Sequence, residues 1–354
     1  MTMPVVTVDF ETHYSRADGY SLSAMSTEDY VADDRFEIIG VGAWIDDKPF
    51  GWFSGTHGQT VDWLRKLDLP NKVVCGHHLM FDGLILAARC DIVPAFYACT
   101  ESMCRPFLKP ILKSLSLGNV SKHLGLGEKG QEVVQADGKR RADFEPEELR
   151  EYLEGYCLGL NRDGDCRLTR HIYNWARPQL NSDEMLLIDQ TMRMYLCPMF
   201  KANALHYDNL LREVQDRKAK RRAEMELQGI TADVLRSKDK FAALLRSLGI
   251  EPPMKVSPAW LKKPEAERDP DKRMTYAFSK ADPEYIALRE EYAEHPDISL
   301  ILDARIHEMS SIEERRTEAM LEVAKKYPRL RIDLSYYRAH TGRFSASEQD
   351  ARRG

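Results

Sequence analysis

Apolar and polar residues alternate in two different ways along this chain, and the change falls near residue 182. Before it, short apolar runs such as VVTVDF and IIGVGAWI alternate with stretches of helical spacing, which predicts strands and helices in turn. After it, long charged stretches such as YDNLLREVQDRKAKRRAEMELQ dominate, and strand patterns are almost absent. We therefore predict an α/β domain over residues 1–181, with a mixed sheet flanked by helices, and a mainly helical domain over 182–354.

The α/β part contains several clear local signals. VVTVDF predicts a first strand, RFEIIGVGAWI followed by KPFGWFSG predicts a hairpin, and NKVVCGHH predicts a short buried strand. A helix is expected from about Met80, and another near Pro146, where acidic residues crowd the first turn. CRLTRHIYNWA predicts a further helix that Pro178 ends, after a break at Gly159 and Gly164.

Composition limits the class of protein. With 43% hydrophobic and 30% charged residues, the sequence is typical of a globular protein, and no apolar run reaches the length of a membrane span. The net charge of −5 argues against a surface coated for nucleic acid but allows a local basic groove. The seven scattered cysteines and the absence of a signal-peptide pattern predict reduced thiols and a cytoplasmic location.

Acidic residues stand at the ends of several predicted core elements. Asp9 and Glu11 are two apart in a strand and therefore share a face, where an uncompensated buried pair would be costly. Asp82 and Asp165 each begin a predicted helix. Alone, each is explained as well by an exposed loop acid or a helix N-cap. Together, these carboxylates suit hard cations such as Mg²⁺ or Mn²⁺.

The segments around these acids resemble a known family. DFET, HHLMFD and the pair YC and DCRLT are similar to the three motifs of the DEDD 3′–5′ exonucleases, which have a ribonuclease-H-like fold. DFETHYSRADGYSLSAMSTEDYVADDRFEIIGVG and LGLGEKGQEVVQADGKRRADF resemble in particular the proofreading domain of phage family A (DNA polymerase I-like) polymerases. The resemblance implies an exonuclease domain over residues 1–181.

The second half continues this resemblance. RMTYAFSKADPEY and ARIHEMSSIEERRTEAML are similar to the thumb region of those polymerases, and SYYRAHTGRFSAS to the motif that opens their polymerase core. The palm and finger motifs have no counterpart, so we expect no polymerase activity from this chain alone. The resemblance implies the exonuclease and thumb of a split or truncated phage polymerase, acting in the cytoplasm of an infected bacterial host.

The resemblance also implies a mechanism and a set of residues. Two Mg²⁺ or Mn²⁺ ions would assist hydrolysis of the 3′-terminal phosphodiester of DNA, releasing nucleoside monophosphates. The expected metal ligands are Asp9, Glu11, Asp82 and Asp165, with Tyr156 as a further catalytic residue. The expected DNA contacts are Thr12, His78, Phe81, Lys129 and Arg343. The expected partners are a single-stranded 3′ end, a primer–template and a separate chain with the palm and fingers.

The third motif departs from the family pattern. The family places a tyrosine four residues before the aspartate, but Asn161 holds that place here and Tyr156 lies nine residues before Asp165. On one continuous helix the two side chains would face apart. If the five extra residues near LNRDG loop out, Tyr156 adjoins Asp165; otherwise Tyr156 is structural. Asp163 is an alternative to Asp165, but only Asp165 keeps the spacing of DxxLT.

Three alternatives remain open at this point. His78 stands where the family has asparagine, so it either contacts the terminal nucleotide in a pH-sensitive way or is a core histidine. The chain is alternatively a stand-alone RNA exonuclease, although its thumb-like half argues against this. The disturbed third motif is also compatible with a DNA-binding scaffold subunit of a split polymerase whose catalytic site is weak.

Overall fold

The structure is a computed structural model that describes residues 3–130, 136–339 and 341–346. The chain divides into two compact units: one runs to Lys201 and includes a returning segment from Arg329, and the other spans 202–328. Parts of two segments used in the sequence comparison, QEVVQ at 131–135 and His340 with the residues after 346, lie outside the described residues.

A five-stranded mixed sheet forms the centre of the first unit, in the order β3-β2-β1-β4-β5. Strands β1 to β3 are antiparallel neighbours, whereas β4 and β5 run parallel to β1. The predicted first strand, hairpin and buried strand are therefore confirmed. The strands are β1 Val5–Thr12, β2 Ile38–Ile45, β3 Lys48–Phe53, β4 Val73–Gly76 and β5 Phe96–Cys99.

Helices cover both faces of this sheet, so side chains on both faces of β1 are buried. Val6 and Val8 are almost fully inaccessible, while Asp9 between them and the strand end is half-buried. The α-helices are α1 Thr27–Ala32, α2 His57–Arg65, α3 Met80–Leu84, α4 Thr100–Leu108, α5 Leu117–Leu124, α6 Pro146–Arg150, α7 Asp165–Ala176 and α8 Ser182–Leu196. Two of them continue as π-helical segments, Ile85–Arg89 after α3 and Glu151–Leu158 after α6.

The division between the units differs from the expected boundary at residues 181 and 182. Helix α8 belongs to the first unit because Asp189, which is buried, accepts a hydrogen bond from the β5 backbone N–H of Tyr97 at 2.8 Å. The returning segment also packs there: Arg105 donates to the carbonyl of Tyr336 at 3.1 Å. The charged periodicity of α8 made it resemble the later helices, although its apolar face covers the sheet.

The second unit is mainly helical, as the sequence predicts. Its core includes Phe241, Leu302 and Tyr285, all fully buried, and the Tyr285 hydroxyl donates to the Leu302 carbonyl at 3.0 Å. A two-stranded ribbon pairs Met254–Val256 with Met274–Tyr276. The helices are α9 Ala204–Leu227, α10 Ala232–Arg236, α11 Lys238–Ser247, α12 Pro258–Leu261, α13 Pro283–Glu291, α14 Pro296–Met309 and α15 Ile312–Lys326.

Two further sequence expectations concern membranes and thiols. Among the described helices, none combines the length and the apolar character needed to cross a bilayer. All seven cysteines are free thiols, as their scattered positions predict.

Candidate active site

A cavity of about 650 Å³ opens beside the end of β1 in the first unit. It gathers most of the residues that the sequence singles out, although they come from distant parts of the chain. The expected site residues that line it are Asp9, Glu11, Thr12, His78, Phe81, Asp82, Lys129, Tyr156 and Asp165. Arg343 is not among the lining residues; its side chain is exposed, and its carbonyl accepts a hydrogen bond from Ala339.

Two glycines on β2 bring a helix close to the acids of β1. Asp9 lies opposite Gly42 and Glu11 opposite Gly40 in the antiparallel pair. A Cβ atom at Gly42 would lie 2.9 Å from the Cys157 sulfur, and one at Gly40 would overlap a neighbouring leucine at 2.5 Å. Only a strand without side chains at these positions allows the Glu151–Leu158 segment to pack so closely.

This close segment supplies partners for the β1 acids. The Tyr152 hydroxyl donates a hydrogen bond to a carboxylate oxygen of Glu11, and the Cys157 thiol lies 3.3 Å from the Asp9 carbonyl. The rings of Tyr152 and Tyr156 stack with centroids 5.5 Å apart and planes at 11°. Sequence reasoning missed Tyr152 and Cys157. The sequence does contain a signal for Tyr152, because it precedes Tyr156 by about one helical turn and so shares its face.

Asp82 reaches the same place from the other neighbour of β1. It lies in the first turn of α3 and is buried. Its Oδ1 atom accepts a hydrogen bond from the backbone N–H of Phe10 at 3.0 Å. This bond ties the start of α3 to the end of β1 and holds the Asp82 carboxyl next to Asp9.

The five extra residues before Asp165 form a loop. Gly159 ends the π-helical segment with φ +78°, and Gly164 caps the start of α7. The two glycines meet at the base of the loop, where a Cβ atom at Gly164 would lie 2.4 Å from the Gly159 nitrogen. Because the chain closes on itself there, Tyr156 and Asp165, at the start of α7, line the same cavity. The looped-out arrangement is thus the one that the chain adopts.

A lysine lies within this group of acids. The Lys129 ammonium forms an ion pair with Oδ2 of Asp165 and lies 5.2 Å from the centroid of the Tyr156 ring. Burial lowers the pKa of Lys129, but the carboxyl groups of Asp165 and Asp9 outweigh this and raise it. Lys129 therefore remains a cation beside Asp165, Asp9 and Glu11.

Burial and mutual repulsion make the ionised form of these carboxyl groups unfavourable. Desolvation, followed by the charge of Asp9, raises the pKa values of Glu11 and Asp82 well above their ordinary range. The same causes raise the pKa of Asp165 to about 7, and burial also raises that of Asp9. Such a cluster gains stability from added positive charge.

The residues fit a divalent cation. Ligand atoms of Asp9, Glu11 and Cys157 lie within 4.8 Å of one another. Oδ1 of Asp165 is buried and has no hydrogen-bond partner among the described residues, which is costly unless another group coordinates it. Carboxylate oxygens are the ligands that Mg²⁺ and Mn²⁺ prefer.

His78 is an exposed residue at the rim of the cavity, not a core histidine. Its backbone has φ +58°, and its Nδ1 atom lies 2.8 Å from a carboxylate oxygen of Glu101, a contact that raises the pKa of His78. The preceding His77 has the structural role instead. Its ring bonds to Thr100 and to the Leu115 carbonyl, and burial lowers its pKa to about 4.

Thr12 and Phe81 form the part of the wall around Tyr30. The hydroxyl oxygens of Thr12 and Tyr30 lie 2.8 Å apart, and the rings of Phe81 and Tyr30 have centroids 5.9 Å apart. The apolar ring of Phe81 and the hydroxyl-bearing Thr12 thus line the cavity beside Asp9 and Asp82.

Comparison with known proteins adds the fold class. No family model and no curated protein matches this chain. Among solved structures, the chain resembles a DNA polymerase domain. That structure is the POL domain of Pol1 from M. smegmatis in complex with DNA primer-template and dNTP, with a TM-score of 0.50 and 13% identity. The match covers 97% of this chain and 51% of that one, so this chain spans about half its length. The similarity shows a shared fold.

Proposed function

We propose that this chain is a metal-dependent 3′–5′ DNA exonuclease, the proofreading part of a family A-like phage DNA polymerase. One observation carries the proposal. Four carboxyl groups with raised pKa values, three of them on buried residues and one on the half-buried Asp9, line one cavity together with two stacked tyrosines and a lysine. The strand order β3-β2-β1-β4-β5, with two parallel strands beyond β1, supports the ribonuclease-H-like assignment of the first unit.

Asp9, Glu11, Asp82 and Asp165 are the residues that would hold the divalent ions. Such ions, when bound, lower the pKa of a water molecule and stabilise charge on the phosphate and the leaving oxygen. The remaining work falls to other side chains. Tyr152 orients the Glu11 carboxylate through its hydroxyl, and Tyr156 stacks on Tyr152 in the wall that also contains Asp165.

The walls of the cavity suit the end of a DNA strand. Phe81 offers an aromatic face on which a base can stack, as is common in single-strand binding. Lys129 inside and, when protonated, His78 at the rim are cationic groups for phosphate contacts, which predicts binding that is independent of sequence and weakened by salt.

The similarity to a polymerase domain bound to primer-template supports a proofreading role during DNA synthesis. The helical second unit corresponds in this proposal to the thumb, and Arg343 to a contact with primer–template DNA. A palm and fingers on a separate chain complete the proposed polymerase.

Digestion of a 5′-labelled single-stranded DNA oligomer with Mg²⁺ or Mn²⁺ tests the proposal. We expect a ladder that shortens from the 3′ end, and its loss in Asp9→Ala. Asp62→Ala is the matched control, because Asp62 is an exposed acid on α2 that does not line the cavity. An RNA oligomer of the same sequence should be degraded more slowly. Preferential RNA cleavage would favour the RNA exonuclease, and no cleavage with either metal would favour the scaffold subunit.

A further inference from the structure

The loop that carries Lys129 is held by Asp163, which has no role in the proposed hydrolysis. The loop follows α5, where Gly125 adopts φ +65° and ends the helix. From there the chain passes Gly127 and Glu128 before Lys129 points its ammonium into the acid cluster. The side chain of Lys129 is 31% exposed while that of Asp165 is 8% exposed, so the cation enters from the solvent side.

Asp163 forms the anchor of this loop. Its Oδ2 atom accepts a hydrogen bond from the backbone N–H of Glu128 at 3.2 Å. The same carboxylate packs directly on Gly127, where a Cβ atom would lie 2.2 Å from Oδ2. Gly127 also has φ +141°, so both its backbone and the close approach require glycine. The carboxylate thus holds the two residues that immediately precede Lys129.

Asp163 belongs to the five extra residues between Tyr156 and Asp165. These residues loop out of the helical path without contributing a carboxylate to the cavity lining. Their contact with the loop 127–129 gives them a physical role. They connect the start of α7, which bears Asp165, to the segment that delivers the cation to Asp165.

We infer that Asp163 is a positioning residue that holds the Lys129 ammonium on Asp165, where it opposes the binding of a divalent cation. The inference rests on the proposed function, since it concerns the affinity of the same site for metal. An ammonium on Oδ2 of Asp165 repels a divalent ion that approaches Asp165, because both are positive and the Asp165 side chain is buried. Metal loading therefore depends on how firmly the loop is held.

A cycle of variants measured by Mn²⁺ binding tests this, with the electron paramagnetic resonance signal of free Mn²⁺ as the readout. Lys129→Met should bind Mn²⁺ about tenfold more tightly than the unmodified protein, because a repelling charge is gone. Asp163→Ala and Asp163→Asn lose the same charge, but only asparagine can still accept the hydrogen bond from Glu128. Asp163→Ala should therefore bind Mn²⁺ about threefold to fivefold more tightly than Asp163→Asn.

The decisive comparison repeats the Asp163 pair in the Lys129→Met background. If Asp163 acts through Lys129, the difference between alanine and asparagine disappears there. A difference of equal size in both backgrounds, or no difference in either, would overturn the inference. Lys129→Gln gives the same comparison should the methionine variant fold poorly.

The outcome also separates this inference from the proposed function. Asp9→Ala should abolish Mn²⁺ binding in every background. If the unmodified protein and Lys129→Met both bind no Mn²⁺ that depends on Asp9, the metal site itself is refuted, and the inference with it. If Asp9-dependent binding is present but the Asp163 effect does not depend on Lys129, only the inference fails.

Discussion

Replacement of Asp165 by asparagine should stabilise the protein when divalent metal is absent. Asp165 is buried, faces three other carboxyl groups and has its pKa raised to about 7 from an ordinary value of 3.8. The ionised side chain works against folding, so its removal should raise the stability of the protein.

The sign and the magnitude follow from proton linkage. Because the folded-state pKa of Asp165 is raised, the folded protein holds a proton that the unfolded chain has lost between about pH 4 and pH 7. Asp165 thus favours folding fully below about pH 4, and this contribution is lost as the pH rises through 7. The shift from 3.8 to about 7 corresponds to about 4 kcal/mol. Loss of a negative charge at the start of α7 offsets about 0.3–1 kcal/mol. We expect a net gain of about 3–4 kcal/mol near pH 8.

Urea denaturation in the presence of EDTA measures this gain. Tryptophan fluorescence reports mainly on the first unit, which contains Trp44, Trp52, Trp63 and Trp175, while Trp260 lies in the second. Asp165→Asn should show a higher urea midpoint than the unmodified protein near pH 8 and a much smaller difference near pH 5. Asp62→Asn, on the exposed surface of α2, is the control and should change little at either pH.

Two results would refute this reasoning. Asp165→Asn could prove less stable than the unmodified protein near pH 8, which would mean that the Lys129 ion pair outweighs burial and repulsion. A stability difference that is the same at both pH values would mean that Asp165 does not titrate as its environment implies. The addition of Mg²⁺ should stabilise the unmodified protein and should stabilise Asp165→Asn less.

Further predictions concern packing, the tyrosine contact and the rim histidine. Gly42→Ala should lower the unfolding free energy by about 1–3 kcal/mol, because the added carbon would lie 2.9 Å from the Cys157 sulfur. Gly58→Ala is the control and should not lower the unfolding free energy, because the space around Gly58 is open. Thermal melts of the two variants measure the difference. Tyr152→Phe should lower the rate of DNA digestion near neutral pH by about tenfold, because loss of its hydrogen bond raises the pKa of Glu11 further; a rate equal to that of the unmodified protein contradicts this. Binding of single-stranded DNA in Ca²⁺, measured by fluorescence anisotropy, should weaken as the pH rises through the raised pKa of His78, and His78→Asn should remove that dependence; an unchanged profile counts against the contact.

Local sequence signals predicted the part of the fold that depends on neighbours in the chain. The apolar run of β1 and the hairpin that follows are confirmed, and they place Asp9 and Glu11 on one face at the strand end. The metal-ligand and DNA-contact roles of the site residues stay predictions. Helix α8 was assigned to the wrong side of the division between the units, because its charged spacing resembles that of the later helices.

Contacts between distant segments could not be predicted from the sequence. Nothing local indicates that Lys129 pairs with Asp165, because the contact depends on how the loop after α5 returns to α7. The approach of Tyr152 to Glu11 depends on the glycines of β2, because a side chain at those positions would block the close packing of the helical segment. The geometry of Gly159 and Gly164, by contrast, decided between the two arrangements that the third motif left open.

Release of mononucleotides from the 3′ end is the most direct test of the proposed exonuclease. A single-stranded DNA oligomer with a labelled 3′-terminal nucleotide should yield labelled deoxynucleoside monophosphate as its first product when Mg²⁺ is present. EDTA and the Asp9→Ala variant should both abolish that product. We predict this metal-dependent and Asp9-dependent release. Labelled oligonucleotides as first products, or release that persists in EDTA or in Asp9→Ala, would contradict it.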